Sequence, residues 1–347
     1  MSEKLVLIDG HSILNRAFFG LPDLTNSQGL HTNAVYGFLN IMFKILEEEK
    51  PNYLAVAFDV KAPTFRHQMF EEYKGTRKPM ADELRQQVPV MKDMLTKMGV
   101  PIVELPGFEA DDLLGTISVM GEAQGMEVSI VSGDRDLLQL ATDHVQIRIP
   151  KTKKTGTEIE NYYAKDVIER YSVSPKEFID VKALMGDTSD NIPGVPGVGE
   201  KTALKLLHQY GTVEELYQHL DDFKGKKLGD KLRENEDMAH LSKELATIFC
   251  QVPLEFSREE LALQPFNVPL LTALYKELEL RSLLNELTAM YPPEPSDWTE
   301  IPVDGMLEDM DDYEPAAPIK KGMKLTSVEE LQEEKRGTQH TTQPSVS

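Results

Sequence analysis

Leu5-Val6-Leu7-Ile8-Asp9 is a run of four apolar residues stopped by an aspartate. The pattern returns as Leu54-Ala55-Val56-Ala57-Phe58 before Asp59, and as Val128-Ser129-Ile130-Val131 ahead of Asp134. Short apolar runs of this kind read as strands buried on both faces, and the helical periodicity at 34–49 and 88–98 supplies the cover. The reading is an α/β fold, a parallel sheet with flanking helices. In such sheets ligands collect beyond the carboxyl ends of the strands, where Asp9, Asp59 and Asp134 would stand.

From about residue 166 the pattern changes to short helices broken by glycine and proline, at 174–185, 200–210 and 212–219, with the next strand-like run at 247–252. The expected division is an α/β catalytic domain over 1–172, a helical subdomain over 173–290, an acidic proline-containing linker over 291–322 and a tail over 323–347. No internal repeat is visible. The 347 residues are 40% hydrophobic and 27% charged, with 58 acidic against 37 basic side chains and a net charge of -21. That composition excludes a collagenous or wholly disordered chain. No run approaches the ~18 apolar residues that cross a bilayer, so no membrane partner is expected. The one cysteine, Cys250, allows neither an internal disulfide nor a cysteine-based zinc site and reads as a buried hydrophobe, which suits a cytoplasmic protein. An acidic balance argues at first against nucleic acid as a partner. Where the carboxylates sit matters more than their sum.

They recur in tight groups: Glu109, Asp111 and Asp112 in Gly-Phe-Glu-Ala-Asp-Asp, Asp134 and Asp136 in Ser-Gly-Asp-Arg-Asp, and Asp187 and Asp190 in Gly-Asp-Thr-Ser-Asp-Asn. A spacing of three residues would put Glu109 with Asp112, and Asp187 with Asp190, on one face of a helix. Any single group reads equally well as helix caps or Asx-turns. Taken together, the sheet directs several of them into one crevice. Two like charges ~4 Å apart repel by ~4 kcal/mol at an effective dielectric near 20, so the cluster requires counter-cations. Oxygen-only ligation selects Mg²⁺ or Mn²⁺, in two or more copies, which is the equipment for displacement at phosphorus.

A local cluster of cations and aromatics follows the second strand: Lys61-Ala-Pro-Thr-Phe-Arg66-His, then Tyr73-Lys74-Gly-Thr-Arg77-Lys78-Pro. Such mixtures suit single-stranded nucleic acid, with bases stacked on rings and phosphates on cations. Arg66 and Lys78 fit a solvated helix face equally well, whereas Tyr73, Lys74 and Arg77 would overhang the carboxylates. Asn191-Ile-Pro-Gly-Val-Pro-Gly-Val-Gly-Glu-Lys-Thr-Ala fails as a phosphate loop, because Glu200 separates Gly199 from Lys201 and no strand precedes it. It reads instead as a glycine hairpin between helices, offering backbone amides and a helix N-terminus to a phosphate.

In this order the motifs resemble the 5'-nuclease (flap endonuclease-like) family, in its branch of 5'-3' exonuclease domains found at the head of bacterial DNA polymerase I. The resemblance runs from about Leu5 to Leu287. It rests on Leu-Ile-Asp9-Gly, Ala-Phe-Asp59, Tyr73-Lys-Gly-Thr-Arg-Lys-Pro-Met, Gly-Phe-Glu109-Ala-Asp-Asp, Ser-Gly-Asp134-Arg-Asp136 and the long motif from Asp187 to Ala203. It implies a PIN-like sheet under a helical arch, followed by a helix-hairpin-helix module. It assigns Asp9, Asp59, Glu109, Asp111, Asp112, Asp134, Asp136, Asp187 and Asp190 to divalent cations. Tyr73 would stack a base while Lys74 and Arg77 clamp the scissile phosphate, and Arg16 and Lys182 would contact DNA. Gly194, Val195, Gly197, Val198, Gly199, Lys201 and Thr202 would hold the duplex backbone, with a bound K⁺. The implied substrate is 5'-flapped, nicked or 5'-ended duplex DNA, an RNA primer on DNA included, cut by a monomer during primer removal and repair. A PIN-type ribonuclease and a non-catalytic DNA-binding module are the rival readings. Met323-Lys-Leu-Thr-Ser-Val-Glu-Glu-Leu looks like the start of a following domain, so a truncated polymerase without synthesis activity is expected.

Overall fold

The computed structural model describes residues 2–291 apart from 154, 155 and 256; the expected linker (beyond Tyr291) and the tail lie outside the described residues. The first part runs β1 (Lys4–Asp9), α1 (Gly10–Gly20), α2 (Asn33–Glu49), β2 (Tyr53–Ala57), α3 (Phe65–Met69), α4 (Asp82–Arg85), α5 (Gln87–Lys97), β3 (Ile102–Val103), α6 (Ala110–Ala123), β4 (Glu127–Val131), β5 (Val145–Lys153) and β6 (Gly156–Tyr162). The strands form one sheet in the order β3-β2-β1-β4-β5-β6, parallel except for β6. Alternation along each strand builds two cores. Leu5, Leu7, Ala55 and Ala57 face α6, while Val6, Ile8, Leu54 and Val56 join α1, α2 and α5.

β1 is the switch point. The chain builds outward from it to β2 and β3 on one side, then returns to build β4, β5 and β6 on the other. The carboxyl ends of β2, β1 and β4 therefore open side by side into one crevice. Gly10 permits the close packing there: a Cβ on it would lie 2.4 Å from the Phe58 ring, so only glycine lets α1 start directly after Asp9.

The second part runs α7 (Ala164–Tyr171), α8 (Pro175–Met185), α9 (Glu200–Tyr210), α10 (Val213–Gln218), α11 (Lys227–Glu234), α12 (Glu236–Ala246), α13 (Val268–Glu277) and α14 (Arg281–Met290). Helix α8 opens on a Ser174–Glu177 capping box with proline at its start. The expected hairpin between α8 and α9 is present. Gly186 and Gly194, both at positive φ, pass backbone to backbone, and a Cβ on Gly194 would lie 2.3 Å from the Gly186 nitrogen.

Three expectations are corrected. Helices α13 and α14 leave the helical subdomain: Leu271, Leu274, Tyr275, Leu283 and Leu287 complete the core under α2 and α5. The run at 247–252 is an extended strap rather than a strand. Its amides bond side chains, Ile248 N to Gln139 Oε1 (2.9 Å), Phe249 N to Asp112 Oδ1 (2.9 Å) and Val252 N to Thr116 Oγ1 (3.1 Å). The segment expected as a helical arch holds only the short helices α3 and α4 and folds down onto the acids. Among the described residues no helix is long and apolar enough to cross a membrane.

Candidate metal centre

Asp9 ends β1 and caps α1, its Oδ1 accepting the Ser12 amide at 3.0 Å. Its other oxygen accepts the Ser132 hydroxyl at 2.7 Å, and the same hydroxyl oxygen accepts the Asp134 amide at 3.0 Å. One serine thus ties the ends of β1 and β4 together. Asp59, beyond β2, accepts the Ala110 amide at 2.7 Å, which fixes the N-terminus of α6 over the crevice. His11 Nδ1 accepts the Asp59 amide at 3.2 Å, and burial holds its imidazole below the ordinary value. Asp111, in the first turn of α6, completes the inner group.

These carboxylates repel one another. Asp9 is pushed up to about 7, by burial against the Ser12 hydrogen bond and further by the charges of Asp59 and Asp134. Asp111 is raised well above its ordinary value by burial, then by Asp9 and Asp134. Asp136 is raised to about 6 by burial and Asp134, with Lys182 opposing. A carboxyl whose folded value exceeds its ordinary 3.8 costs stability once it ionises. For Asp9 that stability is intact below about pH 4 and is lost as pH rises to about 7.

Two outer groups carry built-in cations. Lys182 on α8 bridges Asp136 (2.8 Å) and Asp187; burial would raise Asp187, yet Lys182 and Ser189 together hold it below the usual range. Lys74 reaches Glu109 at 2.8 Å and lies 3.8 Å from Asp190, and Arg77 meets Asp190 at 2.5 Å. Asp187 and Asp190 do not share a helix face; they sit in a turn closed by the Asp187–Ile192 bridge. Asp134 does form the Asx-turn, accepting the Asp136 amide at 2.9 Å, and stands in the crevice as well.

Asp112 leaves the expected cation set. It is fully buried, and both oxygens are engaged by Arg66 at 2.8 Å and by the Glu109 and Phe249 amides. Arg66, only 3% exposed, is therefore no solvated surface residue. Tyr73 cannot stack a base in this arrangement. It is 3% exposed, its ring lies edge-on to His67, and its hydroxyl donates to Glu109 at 3.1 Å, with Asp190 at 3.4 Å. Arg16 packs against Gly133, with its Nε buried and unpartnered.

In the hairpin, Gly194 N donates to Ser242 Oγ (2.9 Å), Val195 N to Leu184 O (2.8 Å), Val198 N to Val195 O (3.0 Å) and Thr202 N to Gly199 O (2.9 Å). Those four amides are committed inside the protein and cannot also hold a duplex backbone. Gly197 and Gly199 form no hydrogen bond through their amides among the described residues, and they stand with exposed Lys201 at the N-terminus of α9. That is the part of the hairpin open to a phosphate.

Among the described residues no three acidic, histidine or cysteine side chains converge tightly enough to enclose an ion unaided. The donor set still fits Mg²⁺ or Mn²⁺. It is all oxygen, from buried Asp9 through half-buried Asp111, Asp134 and Asp136 to exposed Asp59, and no cation opposes the charge on Asp9 while Lys74 offsets that on Asp111 only in part. Mg²⁺ keeps several waters and needs only one or two direct carboxylates. Sequence reasoning did not find His11, Ser132 or the Arg66–Asp112 pair; the first two stand within three residues of a strand-end aspartate, which was the available signal.

Two family models match the chain: "5'-3' exonuclease, N-terminal resolvase-like domain" over residues 4–172 and "5'-3' exonuclease, C-terminal SAM fold" over 173–269. DNA polymerase I of Bacillus caldotenax is 50% identical over 287 residues, 83% of this chain and 32% of that protein. DNA polymerase I of Bacillus subtilis (strain 168) is 50% identical over 285 residues, 82% of this chain and 32% of that protein. The chain spans about a third of the length of these curated relatives. Among solved structures, T5 5'-exonuclease with bound zinc superposes with a TM-score of 0.57 at 24% identity, covering 71% of this chain and 90% of that one. The catalytic core of Rad2 in complex with DNA substrate gives 0.55 at 15% identity, covering 82% and 91%. At those identities the two superpositions establish the shared fold.

Proposed function

The chain belongs to the 5'-3' exonuclease family of nucleases, and on that premise we propose that it hydrolyses phosphodiester bonds near the 5' end of flapped or nicked duplex DNA, with divalent cations in the strand-end crevice. The observation that carries the reading is the crevice itself: Asp9, Asp59, Asp111 and Asp134 come to it from four separate stretches of chain, and burial together with the neighbouring carboxylates makes Asp9 and Asp111 costly to charge. Asp9, Asp59, Asp111, Asp134 and Asp136 would hold the cations, with Glu109, Asp187 and Asp190 at the margins. When bound, such cations lower the pKa of water and stabilise charge on the phosphate oxygens.

The protein's own groups do the rest. Lys74 and Arg77 would bind the scissile phosphate, exchanging their carboxylate partners for phosphate oxygens. Glu109 and Asp190, joined through the buried Tyr73 hydroxyl, hold that cationic segment down. Gly197, Gly199 and Lys201 would take the duplex backbone, making binding shape-directed and salt-sensitive.

A labelled 5'-flap duplex tests this. Short 5' products should form with Mg²⁺ and disappear in EDTA. Flap binding without cleavage in Mg²⁺ would leave a non-catalytic DNA-binding module, and equal cleavage of single-stranded RNA would leave a PIN-type ribonuclease.

A further inference from the structure

Arg66 lies at the meeting of three parts of the chain. Its two terminal nitrogens pair with both oxygens of Asp112 at 2.8 Å. Its Nε donates to the Leu245 carbonyl at 3.0 Å and its NH2 group to the Thr247 carbonyl at 2.7 Å. Its remaining charge lies 3.5 Å from Glu109. The Leu245 and Thr247 carbonyls belong to the last turn and C-cap of α12, where a helix presents unpaired oxygens and the negative end of its dipole. One buried guanidinium thus caps α12 and grips the first turn of α6.

Both helices lead to functional ground. Three residues before Leu245, Ser242 on α12 accepts the amide of Gly194, the first residue of the glycine hairpin. Three residues before Asp112, Glu109 accepts Lys74 and Tyr73, and the Asp112 carboxylate receives the Glu109 amide at 3.1 Å. A line of hydrogen bonds, linked through one turn of α12, runs from Gly194 and Ser242 through Arg66 and Asp112 to Glu109 and ends on half-buried Lys74. It joins the element proposed to grip duplex to the element proposed to face the scissile phosphate.

We propose that the Arg66–Asp112 pair sets the cutting register: it fixes the separation between the hairpin and the Lys74–Glu109 site, and so selects which phosphodiester, counted from the duplex junction, is cut. The proposal rests on the nuclease reading above. Arg66 and Asp112 are positioning residues, since neither faces the crevice. A planar fork suits the role. Lysine keeps the charge but cannot span both Asp112 oxygens and two carbonyls at fixed distances.

The test is to map cleavage positions on an end-labelled 5'-flap duplex for the wild-type chain, Arg66→Lys and Ser242→Ala, with Mn²⁺ affinity measured by calorimetry alongside. The wild type is expected to cut at one dominant position. Both variants should spread cuts over neighbouring phosphates, with kcat lower by roughly 10- to 100-fold, KM little changed and Mn²⁺ affinity unchanged. If the wild type does not cleave, the nuclease reading fails, and the register proposal with it. If the wild type cleaves and either folded variant keeps its cutting pattern, the register proposal alone is overturned. Ser242→Ala decides the matter if Arg66→Lys does not fold, because it breaks the same line while leaving the buried ion pair intact.

Discussion

Lys74→Ala is expected to lower kcat on a 5'-flap duplex by about 10³-fold while changing flap affinity less than about threefold. The side chain is fixed before substrate arrives. Lys74 sits at φ 56°, its amide bonded to the Asp190 carbonyl at 2.8 Å and its ammonium to Glu109 at 2.8 Å. Burial would depress its pKa, yet Glu109 and Asp190 together raise it, so the ammonium stays charged across the working pH range. A cation held ready at the reacting phosphate gains most where charge develops, in the transition state, and Lys74→Arg should recover part of the loss. Single-turnover rates and flap binding separate the two contributions, and an unchanged kcat in Lys74→Ala would remove Lys74 from the chemistry.

Asp111→Asn should act in two opposed directions. Without metal, at a pH well above the ordinary carboxyl value of 3.8, the variant should unfold a few degrees above the wild type, because it removes a carboxyl whose ionisation burial, Asp9 and Asp134 all oppose. Cleavage should nonetheless fall by at least ~10³-fold, because the crevice loses charge that holds the cations, which are worth several kcal/mol to the transition state. Flap binding in EDTA should persist, since the phosphate contacts lie elsewhere. Generic damage lowers stability and activity together. A less stable Asp111→Asn, or one with wild-type turnover, would contradict the placement of Asp111.

The sheet and its aspartates were legible because one rule governs both: apolar runs buried on two faces must end where the backbone leaves the sheet, and Asp9, Asp59 and Asp134 follow those ends. The helix bounds near α2, α5, α8 and α9 were legible from periodicity and from Ser174, whose capping box marks a start. The misreadings came from partners remote in sequence. Arg66 looks like a surface cation until Asp112, 46 residues on, and two carbonyls 179 and 181 residues on surround it. Tyr73 resembles a stacking platform until the fold closes Glu109 and Asp190 over its hydroxyl. The run at 247–252 has strand composition, but its amides meet Gln139, Asp112 and Thr116 instead of a neighbouring strand. In the hairpin, sequence identifies the glycines but cannot tell which amides the protein keeps for itself.

The proposed nuclease mechanism stands on divalent cations completing a strand-end pocket in which burial and neighbouring carboxylates make Asp9 and Asp111 costly to charge. Calorimetric titration of the metal-free chain with Mn²⁺ at pH 8 and pH 5 tests it directly. Binding should be saturable at pH 8, markedly weaker at pH 5 where Asp9 and Asp136 hold protons, and diminished in Asp111→Asn. No binding at pH 8, or equal binding by wild type and Asp111→Asn, would contradict it.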